Sequence, residues 1–231
     1  MYYFRPAQER GTANFGWLQS KHSFSFGYYY DRMHMGFSAL RVINDDTVRP
    51  GAGFDTHGHR DMEIISYILE GAIEHVDSEG NRFVVPAGEV QRMSAGTGIT
   101  HSEYNHSTSQ RLKFLQIWIQ PNRQGIKPGY EQKSIIQTKK LTPLVTPDGR
   151  DDSLTMQQDA SLYRLHLKSG ESVVLDTRIR PGYLHVIEGS ATFNSNHKMM
   201  AGDGLGLFKE DIQLQAGIDG ITALWFDLPH Q

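Results

Sequence analysis

Apolar residues along this chain come in short bursts. MEIISYIL, RFVVPAG, RLKFLQIWI and ESVVLDT are each bounded by Gly, Pro, Asp or Asn within about ten residues. No long segment keeps an apolar stripe at the 3.6-residue helical period. Runs of this length predict strands whose side chains alternate between a core and a solvent face, and hence an all-β sandwich or barrel with little helix. Glycine supports this, at 23 of 231 residues against a usual share of about 7%. QPNRQGIKPG, residues 120–129, concentrates turn formers and is the predicted crossing between two units. TPDGRDD, residues 146–152, reads as an exposed turn within the second. The halves echo each other faintly. YILEGAIEH around Glu70 and Gly71 recurs as HVIEGSATF around Glu188 and Gly189, and PAGE at Gly88 as MAGD at Gly202. Strand-turn-strand units converge on such residues, so duplication stays open at this point.

Composition narrows the class. The chain has no cysteine, which excludes a disulfide scaffold and a thiolate-built zinc site. Lys plus Arg total 23 against 26 Asp plus Glu, so no broad basic surface for nucleic-acid phosphate is expected. The opening MYYFRPAQERG is polar and charged where a secretory signal needs an apolar core, and the apolar runs are far shorter than a bilayer span. A soluble, cytoplasmic protein without membrane contact is the expectation.

The chemically loaded segment is GAGFDTHGHRDMEIISYILEG. His57 and His59 are two apart, so on a strand both imidazoles point to one face, roughly 6 to 7 Å apart. One HxH pair carries little weight, because most histidines are surface or hydrogen-bonded core groups. A second pair changes that: His101 and Glu103 place an imidazole and a carboxylate on one face of another extended segment. Two such pairs from different strands supply four convergent ligands. The blander alternative leaves a glutamate such as Glu103 or Glu63 simply solvated on a barrel face.

These residues resemble the cupin superfamily. Its first motif is matched by Gly51, His57, His59, Glu63 and a closing Gly71 that falls one residue late. Its second is split. Gly80, Pro86 and Gly88 satisfy the front half, with Gln91 where a histidine belongs, and Gly98, His101 and Asn105 satisfy the back half, as if a strand had been inserted. HxHR near SYILEG followed by PAGEVQRMSAGTGITHSE resembles the pirin family in particular. The resemblance implies a bicupin of two β-barrels, an N-terminal cupin domain over 1–125 that holds a metal and a C-terminal cupin domain over 126–231 that lacks ligands. Carried over by position, the ligands are His57, His59, His101 and Glu103; the general cupin pattern lets Glu63 compete for the carboxylate position, and Glu103 is favoured because it shares strand parity with His101 and the pirin resemblance places a ligand there, which leaves Glu63 as a supporting carboxylate. In the C-terminal half the corresponding positions hold Leu175 and Thr177, and His166, His185 and His197 form no HxH pair, so these are expected as satisfied core or surface residues.

Three imidazoles and one carboxylate suit a single divalent ion, Fe(II), Mn(II), Ni(II) or Cu(II), and Zn(II) accepts the same donors. The resemblance favours iron and implies quercetin 2,3-dioxygenase activity on a flavonol and O2, with Glu103 as the base that takes the flavonol hydroxyl proton. It also allows a second class of function, a metal-bearing sensor whose iron oxidation state alters a surface for a protein partner such as a transcription factor. Phe24, Phe26, Tyr28 and Tyr30 alternate along FSFGYYYD, the pattern of a half-buried strand packed on a core or a neighbouring domain. Met33, Met35 and Met93 are read as gap-filling apolar residues.

Overall fold

A computed structural model describes residues 2–194 and 197–230. The strands are β1 (Tyr2–Arg5), β2 (Gly11–Asn14), β3 (Leu18–His22), β4 (Leu40–Val48), β5 (Gly53–His59), β6 (Glu63–Glu70), β7 (Ala72–Asp77), β8 (Arg82–Pro86), β9 (Glu89–Ser94) and β10 (Ile99–Asn105). They continue with β11 (Leu112–Ile119), β12 (Gly129–Ser134), β13 (Leu141–Thr146), β14 (Leu154–Thr155), β15 (Ser161–Leu167), β16 (Ser172–Asp176), β17 (Gly182–Phe193), β18 (His197–Met200), β19 (Gly204–Leu207) and β20 (Asp211–Asp227). Helix among the described residues is confined to 3-10 turns at Ala7–Glu9 and Arg150–Asp152. All four apolar runs singled out in the sequence become strands: β6, β8, β11 and β16. No helix among the described residues is long and apolar enough to cross a membrane.

The chain divides into two compact units, but not at residue 125. One comprises Gly11–Ile135 with Leu154–Gln158; the other takes the chain up to Arg10, Ile136–Ser153 and everything from Asp159 onward. The expected 1–125 and 126–231 boundary therefore shifts, for a hydrogen-bonding reason. β12 follows the Pro/Gly-rich loop but pairs antiparallel with β9, from Gly129 opposite Ser94 to Ser134 opposite Glu89, and so belongs to the first unit. β1 pairs with β19, which carries the start of the chain into the second. TPDGRDD does form an exposed turn of the second unit.

The first unit is two sheets, a four-stranded one ordered β5-β10-β7-β8 and a seven-stranded one ordered β12-β9-β6-β11-β4-β3-β2. Both keep edge strands, so the expected barrel is an open double-sheet jelly roll rather than a closed cylinder. One apolar cluster joins Leu18, Val48, Ile68, Ile73, Val85, Leu112 and Phe114. A second joins Ile64, Met93, Ala95 and Ile99. β9 is the strand inserted between the halves of the split motif. In the second unit β1, β19, β17, β20, β15 and β13 pair in that order, with β16 on β20 and β18 on β17. Its single core cluster includes Leu165, Leu175, Leu184, Val186, Leu205 and Trp225.

The echoed glycines share backbone geometry. Gly71 and Gly189 both have φ +77°, and Gly88 and Gly202 have φ +87° and +88°. A Cβ on Gly71 would lie 2.8 Å from the Arg111 carbonyl oxygen, and one on Gly189 2.2 Å from that of Gly220. Each EG therefore marks a strand corner where only glycine lets the neighbouring backbone approach. Gly189→Ala should destabilise the fold by about 1–3 kcal/mol, from left-handed strain plus the clash. A thermal unfolding midpoint equal to that of the parent protein would refute this.

Candidate metal centre

The four-stranded sheet sets the site by register. β10 lies between β5 and β7, with His101 directly opposite His57 on one side and Glu103 opposite His75 on the other. Cross-strand partners sit side by side on one face, and the period of two adds His59 and Asp77 to that face. The β5–β10 ladder slips by one residue between His101 and Glu103. Such a bulge bends the strand and re-aims its side chains. At this slip the Asp55 carbonyl accepts a hydrogen bond from His57 Nδ1 at 2.7 Å. That contact fixes the tautomer and leaves His57 Nε2 with its lone pair available.

Ligand atoms of His57, His59 and His101 lie within 4.8 Å of one another. The ring centroids are 4.9 Å apart for His57 and His59, 4.5 Å for His57 and His101, and 5.0 Å for His59 and His101. Burial holds His101 down at about 3 and His59 at about 4, and neighbouring imidazoles add to the effect. Both rings are neutral at physiological pH, as ligation requires. His101 is 1% exposed, and neither ring nitrogen has a hydrogen-bond partner among the described residues. An unmade buried hydrogen bond costs about 1–3 kcal/mol, so this ring sits where an ion would compensate it. The donor set fits a divalent ion with nitrogen and oxygen preference.

Glu103 faces the seven-stranded sheet and is buried. Its Oε1 accepts from Gln91 Nε2 at 2.8 Å and Ser66 Oγ at 3.2 Å, and its Oε2 from Gln116 Nε2 at 3.3 Å. It groups with His101 and a residue the sequence reading passed over, His75, whose ligand atoms also lie within 4.8 Å of one another. His75 Nε2 donates to Asp77 Oδ2 at 3.0 Å, and Asp77 is held in turn by Asn81. Burial acts to raise the Asp77 carboxyl, but the donors from His75 and Asn81 outweigh it and hold the group low. His75 Nδ1 is buried with no hydrogen-bond partner among the described residues. The HxD spacing of 75 and 77 was the available sequence signal.

Glu63 is in neither group. It is 1% exposed, with Oε2 accepting from Ser94 Oγ at 2.9 Å and the Gln157 amide at 3.3 Å, and burial raises its carboxyl. Both glutamates are thus enclosed rather than solvated. Gln91, the residue in place of a motif histidine, reaches the site as a donor to Glu103. FSFGYYYD is not a strand but a tight loop with a Phe26–Tyr29 bridge, in which Phe24 is buried while Tyr28 is 96% exposed. Met93 fills the core, but Met33 and Met35 are exposed, so gap filling holds for one of the three.

In the second unit no cluster that could hold a metal occurs among the described residues. Leu175 lies in the apolar core, and the Thr177 hydroxyl donates to the Glu210 carbonyl. His166 and His197 are exposed. His185 departs from the satisfied reading: it is buried, burial pushes it down to about 3, and its Nδ1 has no partner among the described residues.

Residues 3–119 match the Pirin family model, and residues 143–228 match the Quercetinase C-terminal cupin domain. The chain belongs to the pirin family. It is 52% identical to a quercetin 2,3-dioxygenase of Escherichia coli over 99% of both chains. Among solved structures it is similar to the Escherichia coli protein YhhW, at 49% identity with a TM-score of 0.96, covering 100% of this chain and 99% of that one. YhhW in complex with nickel(II), described there as a bacterial pirin, matches with a TM-score of 0.95 at 49% identity over 100% of both chains. The two cupin domains of the pirin architecture are therefore present here, with the histidine cluster in the first.

Replacing His57 and His59 together with Ala should leave the purified pirin without bound metal while its far-ultraviolet circular dichroism stays that of a β-protein, because both rings stand outside the apolar clusters. Global unfolding of that variant would make the pair structural.

Proposed function

We propose that this pirin is a metal-dependent dioxygenase that opens the ring of flavonols such as quercetin with O2, using one divalent ion, Fe(II), held by His57, His59, His101 and Glu103. The observation that carries this reading is the buried His101 ring, both nitrogens without a protein partner among the described residues, facing two further histidines. The family membership, the name of the Escherichia coli relative and the nickel bound by YhhW support it. Nickel, manganese, copper and zinc compete for the same donors in the Irving–Williams sense.

When bound, the ion supplies Lewis-acid charge that favours the deprotonated flavonol and a meeting point for the two substrates. The chain's own residues do the rest. The Asp55 carbonyl orients His57. Gln91 and Ser66 engage Glu103 Oε1, whereas Oε2 has the single donor Gln116. Oε2 therefore retains lone-pair capacity to take the flavonol hydroxyl proton. Trp118 packs edge-on against His59 at 5.0 Å, and Phe26 against Trp118 at 5.2 Å, and these rings give the histidine cluster an apolar flank.

Elemental analysis combined with the loss of quercetin absorbance under air tests metal and class together. The metal-loaded protein should show sustained turnover, and Glu103→Gln should lower it by about 100-fold or more while retaining metal. Retained metal with undiminished oxidation would remove the base role. Metal-loaded parent protein without sustained product release would overturn the enzymatic reading in favour of a redox sensor for a protein partner.

A further inference from the structure

Beside the histidine cluster the first unit contains a pocket of about 520 Å³, within the range of small-molecule sites. Its walls are aromatic. Trp17 and Phe54 meet edge-to-face at 5.1 Å, and Phe26 and Tyr29 lie against His22 at 5.5 and 6.3 Å. Its lining is polar along one row, where Ser20, His22, Asn44 and Asp46 project from β3 and β4, and Gln116 joins them from β11. Gln116 also donates to Glu103 Oε2, so one side chain separates this pocket from the proposed base. His22 Nδ1 contacts Asn44 Oδ1 at 2.7 Å, and Ser20 Oγ is 3.3 Å from the same nitrogen.

Asp46 stands out in that row. It is 2% exposed, the Ser20 hydroxyl donates to its carboxylate, and its Oδ1 has no hydrogen-bond partner among the described residues. Burial, opposed by Ser20 and reinforced by the charges of Asp45 and Glu103, pushes the Asp46 carboxyl up to about 7. A buried acceptor at the wall of an aromatic pocket is incomplete without a donor, and a ligand hydroxyl in the pocket is placed to supply one.

We propose that Asp46 reads a hydroxyl of the aromatic substrate, its unpartnered Oδ1 accepting a hydrogen bond from a ring hydroxyl other than the one that loses its proton to Glu103. The ligand class is a planar aromatic with more than one hydroxyl: flat apolar faces match Trp17, Phe26, Tyr29 and Phe54, and a polar edge matches Asp46. The choice of flavonols within that class rests on the function proposed above. A site built to pair a hydroxyl rejects the analogue that lacks it, because the buried acceptor is then left unmade. Asp46 is thus a specificity residue, and its loss should erase discrimination rather than metal binding.

The test is anaerobic titration of metal-loaded protein with quercetin and with 3-hydroxyflavone, which keeps only the reacting hydroxyl, followed by quenching of tryptophan fluorescence. The parent protein should prefer quercetin, and Asp46→Leu should reduce that preference about tenfold, the equivalent of one lost hydrogen bond, with metal content unchanged. Asp46→Ala, which also removes the acceptor, serves if the leucine variant does not fold, and should reduce the preference in the same direction. A quercetin preference untouched in the folded variants, or no preference in the parent, overturns the assignment. The two proposals fail separately. Asp46-dependent binding without product under air sinks the dioxygenase reading and leaves the pocket assignment standing. Flavonol turnover with an Asp46-independent preference does the reverse.

Discussion

The pairing of β10 with its two neighbours is the constraint on which this site depends. Because His101 stands opposite His57 and Glu103 opposite His75, two ladders bring a row of titratable groups onto a single face, buried at His75, His101 and Glu103 and half-buried at His57 and His59. Such a row is costly without compensation, since burial disfavours the charged forms and leaves polar atoms unmade. Three means of compensation are visible. His75 is tied to an anchored aspartate, Glu103 is met by amides and a hydroxyl from the facing sheet, and His59 and His101 are kept neutral. Among the described residues the two His101 nitrogens and His75 Nδ1 are left without a hydrogen-bond partner.

The facing sheet contributes differently. Ser66, Gln91 and Gln116 are neutral donors, one from each of three adjacent strands, and they converge on a single carboxylate. Neutral amides hold a carboxylate in place without the tight ion pair that a guanidinium would form. Apolar packing is left to separate clusters, which lets the first unit carry a polar interior without giving up its core. The second unit has the same type of corner at Gly189 but leucine and other apolar side chains in its core cluster.

The resemblance in the sequence reached the histidine cluster because its information is local. Parity along one strand is enough to put His57 beside His59 and His101 beside Glu103. The roles overlooked were those that arise between strands. His75 matters only because β7 pairs with β10 in one register, and Gln91 only because β9 brings it against Glu103. The compact units depart from a division near residue 125 for a related reason: the Pro/Gly-rich loop is a genuine loop, yet the strand beyond it pairs backwards, and turn composition says nothing about which edge receives the next strand.

By itself, then, the amino-acid order determined the strand-rich class, the places where the backbone must turn, and two pairs of side chains of ligand type that share a strand face, because all of these follow from the period of two and from the conformations glycine permits. Tertiary structure decided the rest: which carboxylate is drawn toward the imidazoles and which is tied down elsewhere, that an apparent aromatic strand is a tight loop, and that Asp46 ends at a pocket wall with one oxygen unmet. Those outcomes depend on register between distant segments and on the removal of water from between them. No short stretch of chain encodes either.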